Sequence, residues 1–215
     1  MSNKKISNLQ FVLTLTFVVC LVISNITSAK QMLLPFNIVL PAAVIIFPIT
    51  YILSDVFSEV YGYKWSRLTC YFGFAANLFA VIVFNIAIAT PAPDYWMNQE
   101  AFEVVLGSTG RMLFASLLGF VVGDLVNDRV FRAFKKNHPD DHKGFGFRAI
   151  LSSFCGEVAD SMLFLPIAFL GQMPFSTLAL MAVTQVFIKI AYEVVILPVT
   201  HKIVHAVSDY EMRVS

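Results

Sequence analysis

The sequence predicts an all-α membrane protein of six transmembrane helices, with both termini cytoplasmic and a second helix broken by prolines. Three observations carry this. The 215-residue chain is 58% hydrophobic and only 13% charged, with a mean hydropathy of +0.74, whereas a soluble domain carries about 25% charged residues. Six apolar runs are long enough to cross about 30 Å of hydrocarbon at about 1.5 Å per residue. Finally, twelve of the fifteen Lys and Arg residues fall in alternate segments between those runs, which assigns these segments to the cytoplasm. The chain reads as one integral membrane domain.

The runs lie near residues 11–28, 33–53, 68–90, 112–127, 149–170 and 177–200. The first follows Lys4 and Lys5 and ends in Thr27, Ser28 and Ala29, which partly mimics a cleaved signal segment. Its length and the polar pair Ser24 and Asn25 favour a retained span. The second contains Pro35, Pro41 and Pro48. Proline removes a backbone donor, so an irregular stretch is expected over 41–48, its freed carbonyls lining protein or a cavity. The fourth run is the shortest and carries Asp124. Between the third and fourth, residues 91–110 hold Asp94, Glu100 and Glu103 with Tyr95 and Trp96, suited to the outer interface.

The basic segment 127–148 interleaves Asp128, Asp140 and Asp141 with its cations, so orientation and contact with anionic lipid suffice, and no nucleic acid is expected. Cys20, Cys70 and Cys155 all sit in apolar runs, without the spacing of a disulfide framework or a zinc site. His201 and His205 have i, i+4 ligand spacing but lack a third ligand and a flanking catalytic Glu. Neither a metal nor another cofactor is expected. No motif of an intramembrane hydrolase is present, so the chain reads as a non-enzyme.

Chemistry concentrates in two places. Residues 47–63 read FPITYILSDVFSEVYGY. Asp55 and Glu59 are i, i+4 and share one helical face, Tyr51, Tyr61 and Tyr63 surround them, and Gly62 supplies a turn. The plainest account is a helix end with hydrated acids. The second concentration is at depth: Asp124, Glu157, Asp160, Gln185 and Lys189 fall at similar heights in their runs, with Glu193 one turn beyond Lys189. Asn25, Lys30 and Asn77 add polar groups to the first and third runs. Ionisable groups inside a bilayer are costly, and several at one depth are best explained by a shared polar cavity. Its carboxylates outnumber its one buried lysine, so protons, a cationic ligand or donor groups must compensate them.

The stretches NITSAK at residues 25–30 and PxTYxxSDVxxEVYGY at 48–63, with Arg67 and Arg111, and FRAILSSFxxExxDS at 147–161 resemble the queuosine precursor transporter family, also called vitamin uptake transporters. The resemblance covers essentially the whole chain. It implies a six-span inner-membrane importer of 7-deazapurines, such as 7-aminomethyl- or 7-cyano-7-deazaguanine or queuine. The ligand would meet Asp55, Glu59, Glu157 and Asp160 as acceptors and Asn77, Gln185 and Lys189 as donors, with Asn25, Lys30, Tyr51, Asp124 and Glu193 as further lining. Expected partners are that small molecule, the lipid bilayer, and an energising subunit or a second copy. A substrate-binding subunit of an energy-coupling-factor-type vitamin importer is the alternative. No P-loop for driving transport is present in this chain.

Overall fold

A computed structural model describes residues 6–137 and 145–214. Its elements are helix α1 (Asn8–Thr27), strands β1 (Gln31–Leu34) and β2 (Ile38–Pro41), then α2 (Phe47–Val56), α3 (Tyr63–Ala89), α4 (Gln99–Gly107), α5 (Thr109–Asn137), α6 (Phe145–Phe169) and α7 (Phe175–Val214). Among the described residues, five helical stretches are long and apolar enough to cross a membrane: Asn8–Thr27, Tyr63–Ala89, Gln99–Phe134, Leu151–Phe169 and Phe175–Arg213. The chain is therefore an all-α, multi-pass membrane protein in its bulk. It divides into two compact units. The first comprises Met1–Gln31, Pro41–Gly110 and Ala191–Ser215, and the second Met32–Leu40 and Arg111–Ile190.

The expected second span, residues 33–53, is irregular before Phe47 as its prolines predict, but its first part needs correction. It is not one kinked helix. Residues 31–41 form a two-stranded hairpin, Ala42–Ile45 a single 3₁₀ turn, and the α-helix starts only at Phe47 with Pro48 in its first turn. Pro35 and Pro41 cannot donate within a helix, and Ile38, Val39 and Leu40 favour extended backbone. The hairpin tip places Phe36 and Asn37 at φ of 66° and 58°, the left-handed pair that tight hairpins use. Asn tolerates this region well; a bulky Phe does so at a cost.

Within the first unit, α1 and α3 pack closely enough that a Cβ on Gly73 would collide with the Leu21 side chain. Phe17, Leu53 and Phe57 form the buried centre, with Leu13, Tyr61 and Trp65 against it. The rings of Phe17 and Phe57 meet edge-to-face at 5.7 Å. Following α2, Phe57–Tyr61 widens into a π turn and Gly62, at φ 85°, reverses the chain into α3. That φ is the left-handed region in which glycine carries no Cβ penalty, and the sequence marks the turn correctly.

Both ends of this return path are tied. At one end the Ala42 N–H donates to the Lys30 carbonyl at 2.8 Å. At the other, Tyr61 OH donates to Glu211 Oε1 at 2.8 Å, and the Ser7 hydroxyl donates to the same oxygen. Ser7 also caps α1 by accepting from the Gln10 N–H at 2.9 Å. Residues 42–61 rise by about 30 Å, the height of α1. Thus the start of α1, the end of α2 and the last turn of α7 share one level.

In the second unit, Gly119 and Gly123 of α5 lie four residues apart against α6. A Cβ on Gly156 of α6 would sit 2.9 Å from the Gly123 carbonyl oxygen and 3.1 Å from Asn127 Cβ. This is the small-residue contact that lets membrane helices approach without an aqueous hydrophobic drive. Arg111, opening α5, donates to the carbonyls of Ile167 and, at 2.7 Å, Leu170. It thereby satisfies carbonyls that the end of α6 leaves open. Gly171, at φ 86°, turns the chain toward α7.

Tyr61→Phe keeps the ring packing but removes the donor to Glu211. A hydrogen bond to a charged group is worth about 1–2 kcal/mol here, so the thermal midpoint in detergent is expected to fall by a few degrees. An unchanged midpoint would show that the bond across the chain ends contributes nothing.

Candidate functional site

Among the described residues of the second unit, the most buried charged side chain is that of Lys189, only 8% exposed. Its Nζ lies 2.6 Å from Asp160 Oδ2 and 2.8 Å from Glu157 Oε2. Glu157 and Asp160 are i, i+3 on α6 and so reach one point on the neighbouring helix. Lys189 is fourteen residues into α7, and the acids are twelve and nine residues before the end of α6. Partners at comparable distances on either side of a five-residue turn define an antiparallel hairpin. One cation between two carboxylates leaves a local charge of −1 when all three are ionised.

Glycine packing sets where Asp160 sits. A Cβ on Gly119 would collide with the Asp160 carboxylate, and one on Gly123 would lie 3.2 Å from Asp160 Cβ. Helix α5 thus acts as a wall against Asp160, closing off rotamers that would point it away from Lys189. One turn closer to the α6–α7 turn lie Ser161, wholly buried, and Gln185, 1% exposed. Neither Ser161 Oγ nor Gln185 Oε1 has a hydrogen-bond partner among the described residues. Asp124 is half-buried on α5.

The remaining candidates divide among several environments. In the first unit, Asp55 and Glu59 are both exposed, one turn apart as their spacing requires. Asn77 is buried, but its groups are engaged: its Oδ1 accepts from Asn25 Nδ2 at 2.8 Å, and its Nδ2 donates to the Gly73 carbonyl at 2.9 Å. Those bonds tie α1 to α3. Lys30 is exposed and Tyr51 half-buried. The side chain of Glu193 lies outside the described residues, as does most of the basic segment, including His138, Asp140, Asp141 and His142. His201 and His205 face each other with Nε2 atoms 3.1 Å apart, and among the described residues no cluster of three metal-ligating side chains forms.

Three contributing residues were not singled out from the sequence. Gly119 and Gly123 spell GxxxG within an apolar run, a signal available from the sequence. Ser161 closes the FRAILSSFxxExxDS stretch and stands i+4 from Glu157, so it shares the face of that acid.

Comparison with known proteins adds the family. A family model described as "Putative vitamin uptake transporter" matches residues 41–203. A relative from Bacillus subtilis (strain 168), named "Probable queuosine precursor transporter", is 26% identical over 145 residues. That alignment takes in 67% of this chain and 63% of the relative, so the chain spans less than two thirds of the relative's length. No solved structure matches.

Lys189→Met would leave two carboxylates facing each other without a cation. Losing one partner of a fully buried pair costs about 3–5 kcal/mol; with the acids about a quarter exposed, roughly 1–3 kcal/mol is expected. Adding Glu157→Gln to Lys189→Met should restore part of the loss. Thermal unfolding in detergent reads both, and no rescue would mean that charge balance is not what Lys189 provides.

Proposed function

We propose, from the premise that this chain belongs to the vitamin uptake transporter family, that it imports 7-deazapurine precursors of queuosine across a bacterial inner membrane. The observation that carries this reading is the Lys189–Glu157–Asp160 cluster in an apolar helical hairpin, with more carboxylate than cation. A deazaguanine presents N1–H and a 2-amino group side by side, which one carboxylate accepts in a bidentate pair. Its O6 takes a donor, for which Lys189 is placed beside the acids. Aromatic side chains of the spans supply faces for stacking. The surplus negative charge favours the aminomethyl precursor, a cation at neutral pH.

The same reading gives the topology. Residues 42–61 form the sixth crossing beside the five long helices, and an even number returns the C-terminus to the side of the N-terminus. The shared contact of Ser7, Tyr61 and Glu211 supports this arrangement, and the distribution of Lys and Arg makes that side cytoplasmic. Non-helical backbone in the preceding hairpin is tolerable only against protein, water or the interface. Transport by the chain alone is the reading adopted; dependence on an energising subunit is the alternative.

The test is uptake of labelled 7-aminomethyl-7-deazaguanine into vesicles holding only this protein. Accumulation above empty vesicles is expected. Its absence, reversed by an added ATP-driven module, would make the chain a binding subunit. Asp160→Asn preserves shape but sets a donor against ligand donors. Loss of a charge-assisted bidentate contact costs about 2–4 kcal/mol, or roughly 30- to 1000-fold in affinity. Normal uptake by Asp160→Asn at normal protein level would remove the carboxylate from recognition.

A further inference from the structure

The charged cluster accounts for Glu157, Asp160 and Lys189, but not for the two buried groups one turn away. Ser161 and Gln185 are 0% and 1% exposed, and each keeps an oxygen without a partner among the described residues. Ser161 is the more telling. A hydroxyl inside an apolar helix ordinarily satisfies itself by donating to the carbonyl four residues back. Thr14, Thr16, Thr27, Ser28 and Thr90 all do so here, at 2.8–2.9 Å. Ser161 makes no such bond to Glu157, and among the described residues it shares that state with the buried Thr69 of α3.

Register brings the two groups together. Because α6 and α7 are antiparallel and Glu157 and Asp160 stand level with Lys189, moving four residues forward from Glu157 corresponds to moving four back from Lys189. Those positions are Ser161 and Gln185. They form an uncharged pair about 6 Å along the hairpin from Glu157 and Lys189, with Ser161 directly following Asp160, a span comparable to the width of a fused bicyclic base. An unpaired buried oxygen costs as much as a lost hydrogen bond, and a ligand with matching groups would remove that cost.

We infer that Ser161 and Gln185 read the N3/N9 edge of the transported heterocycle, so that the site takes free bases and rejects N9-substituted nucleosides. This rests on the 7-deazapurine reading. The polar edge of such a base runs O6, N1–H, 2-amino, N3, N9–H. Lys189 and the acids take the first three groups. Ser161 donates its hydroxyl to N3, and Gln185 Oε1 accepts from N9–H. A sugar or methyl at N9 removes the donor and adds bulk against a fully buried amide. The pair is uncharged, so it contributes selectivity without altering the balance of the neighbouring cluster.

The experiment is equilibrium binding of 7-deazaguanine, its 9-methyl derivative and 3,7-dideazaguanine to purified protein, with Gln185→Leu and Ser161→Ala beside wild type. Wild type should prefer the parent base by at least roughly 3- to 10-fold over each analogue, the value of one or two neutral hydrogen bonds. Gln185→Leu should weaken the parent by a similar factor and narrow its preference over the 9-methyl base. Ser161→Ala should do the same for the preference over 3,7-dideazaguanine. A merely structural role would weaken all three ligands equally and leave the ratios unchanged, which overturns the inference, as does a wild type without preference. Should Gln185→Leu fail to fold, the Ser161→Ala ratios decide. If wild type binds no 7-deazaguanine, the transport reading fails separately. The free-base preference is then measured with hypoxanthine and 9-methylhypoxanthine, and its absence there overturns the inference too.

Discussion

Lys189 held between Glu157 and Asp160 is the interaction on which the second unit depends. Charges in an apolar bundle are tolerable only when compensated, and compensation by direct contact demands fixed geometry. The geometry here is set from two sides. The turn at Gly171 fixes which residue of α7 stands opposite which residue of α6. The Gly119 and Gly123 surface of α5 then presses on Asp160, so the acid has little choice of rotamer. Arg111 holds the start of α5 to the end of α6, keeping that surface in place. Glycines with no chemistry of their own thus govern the position of a charged group.

The stretch between α1 and α2 answers a different demand, that every backbone polar group at membrane depth find a partner. An apolar stretch with three prolines cannot meet it as one helix. The chain instead pairs β1 with β2, ties Ala42 to Lys30, and only then begins α2. Tyr61 and Ser7 meeting at Glu211 fix the far end. The cost of leaving the helix is met by strand pairing, and the residues that force the departure, Pro35 and Pro41, open the hairpin loop and end the second strand.

These two demands also explain what the sequence disclosed. The long spans were legible because length and hydropathy alone decide them. The Glu157–Asp160–Lys189 grouping was legible because ionisable residues at one depth have few explanations. The hairpin was not: a short apolar run reads alike as buried helix or strand, and QMLLPFNIVLP has no alternation to separate them. Prolines announced a break but not its form. The bonding of Asn77 was hidden for a related reason. Its type and depth fit a ligand donor, yet its partner Asn25 lies 52 positions away, beyond any local pattern.

Asn25 and Asn77, compared with Ser161 and Gln185, give a physical criterion for sorting buried polar residues in such a bundle. Both pairs are buried in helices; their accounts differ. The asparagines bond to each other and to the Gly73 carbonyl, so the α1–α3 contact is sufficient reason for them. Ser161 forgoes the carbonyl that Thr14, Thr16, Thr27, Ser28 and Thr90 use, and the Gln185 oxygen faces no donor among the described residues. Selection for stability alone would favour apolar residues at both positions, because an unsatisfied buried oxygen is worse than none. Beside a charged cluster that attracts ligands broadly, a neutral layer with one donor and one acceptor can distinguish them. Electrostatic attraction falls slowly with distance and is indifferent to small changes in shape, whereas a neutral hydrogen bond fails within fractions of an ångström. In the proposed transport role, dividing the work in this way would let the acids supply affinity for donor-rich heterocycles while Ser161 and Gln185 decide which heterocycle is carried.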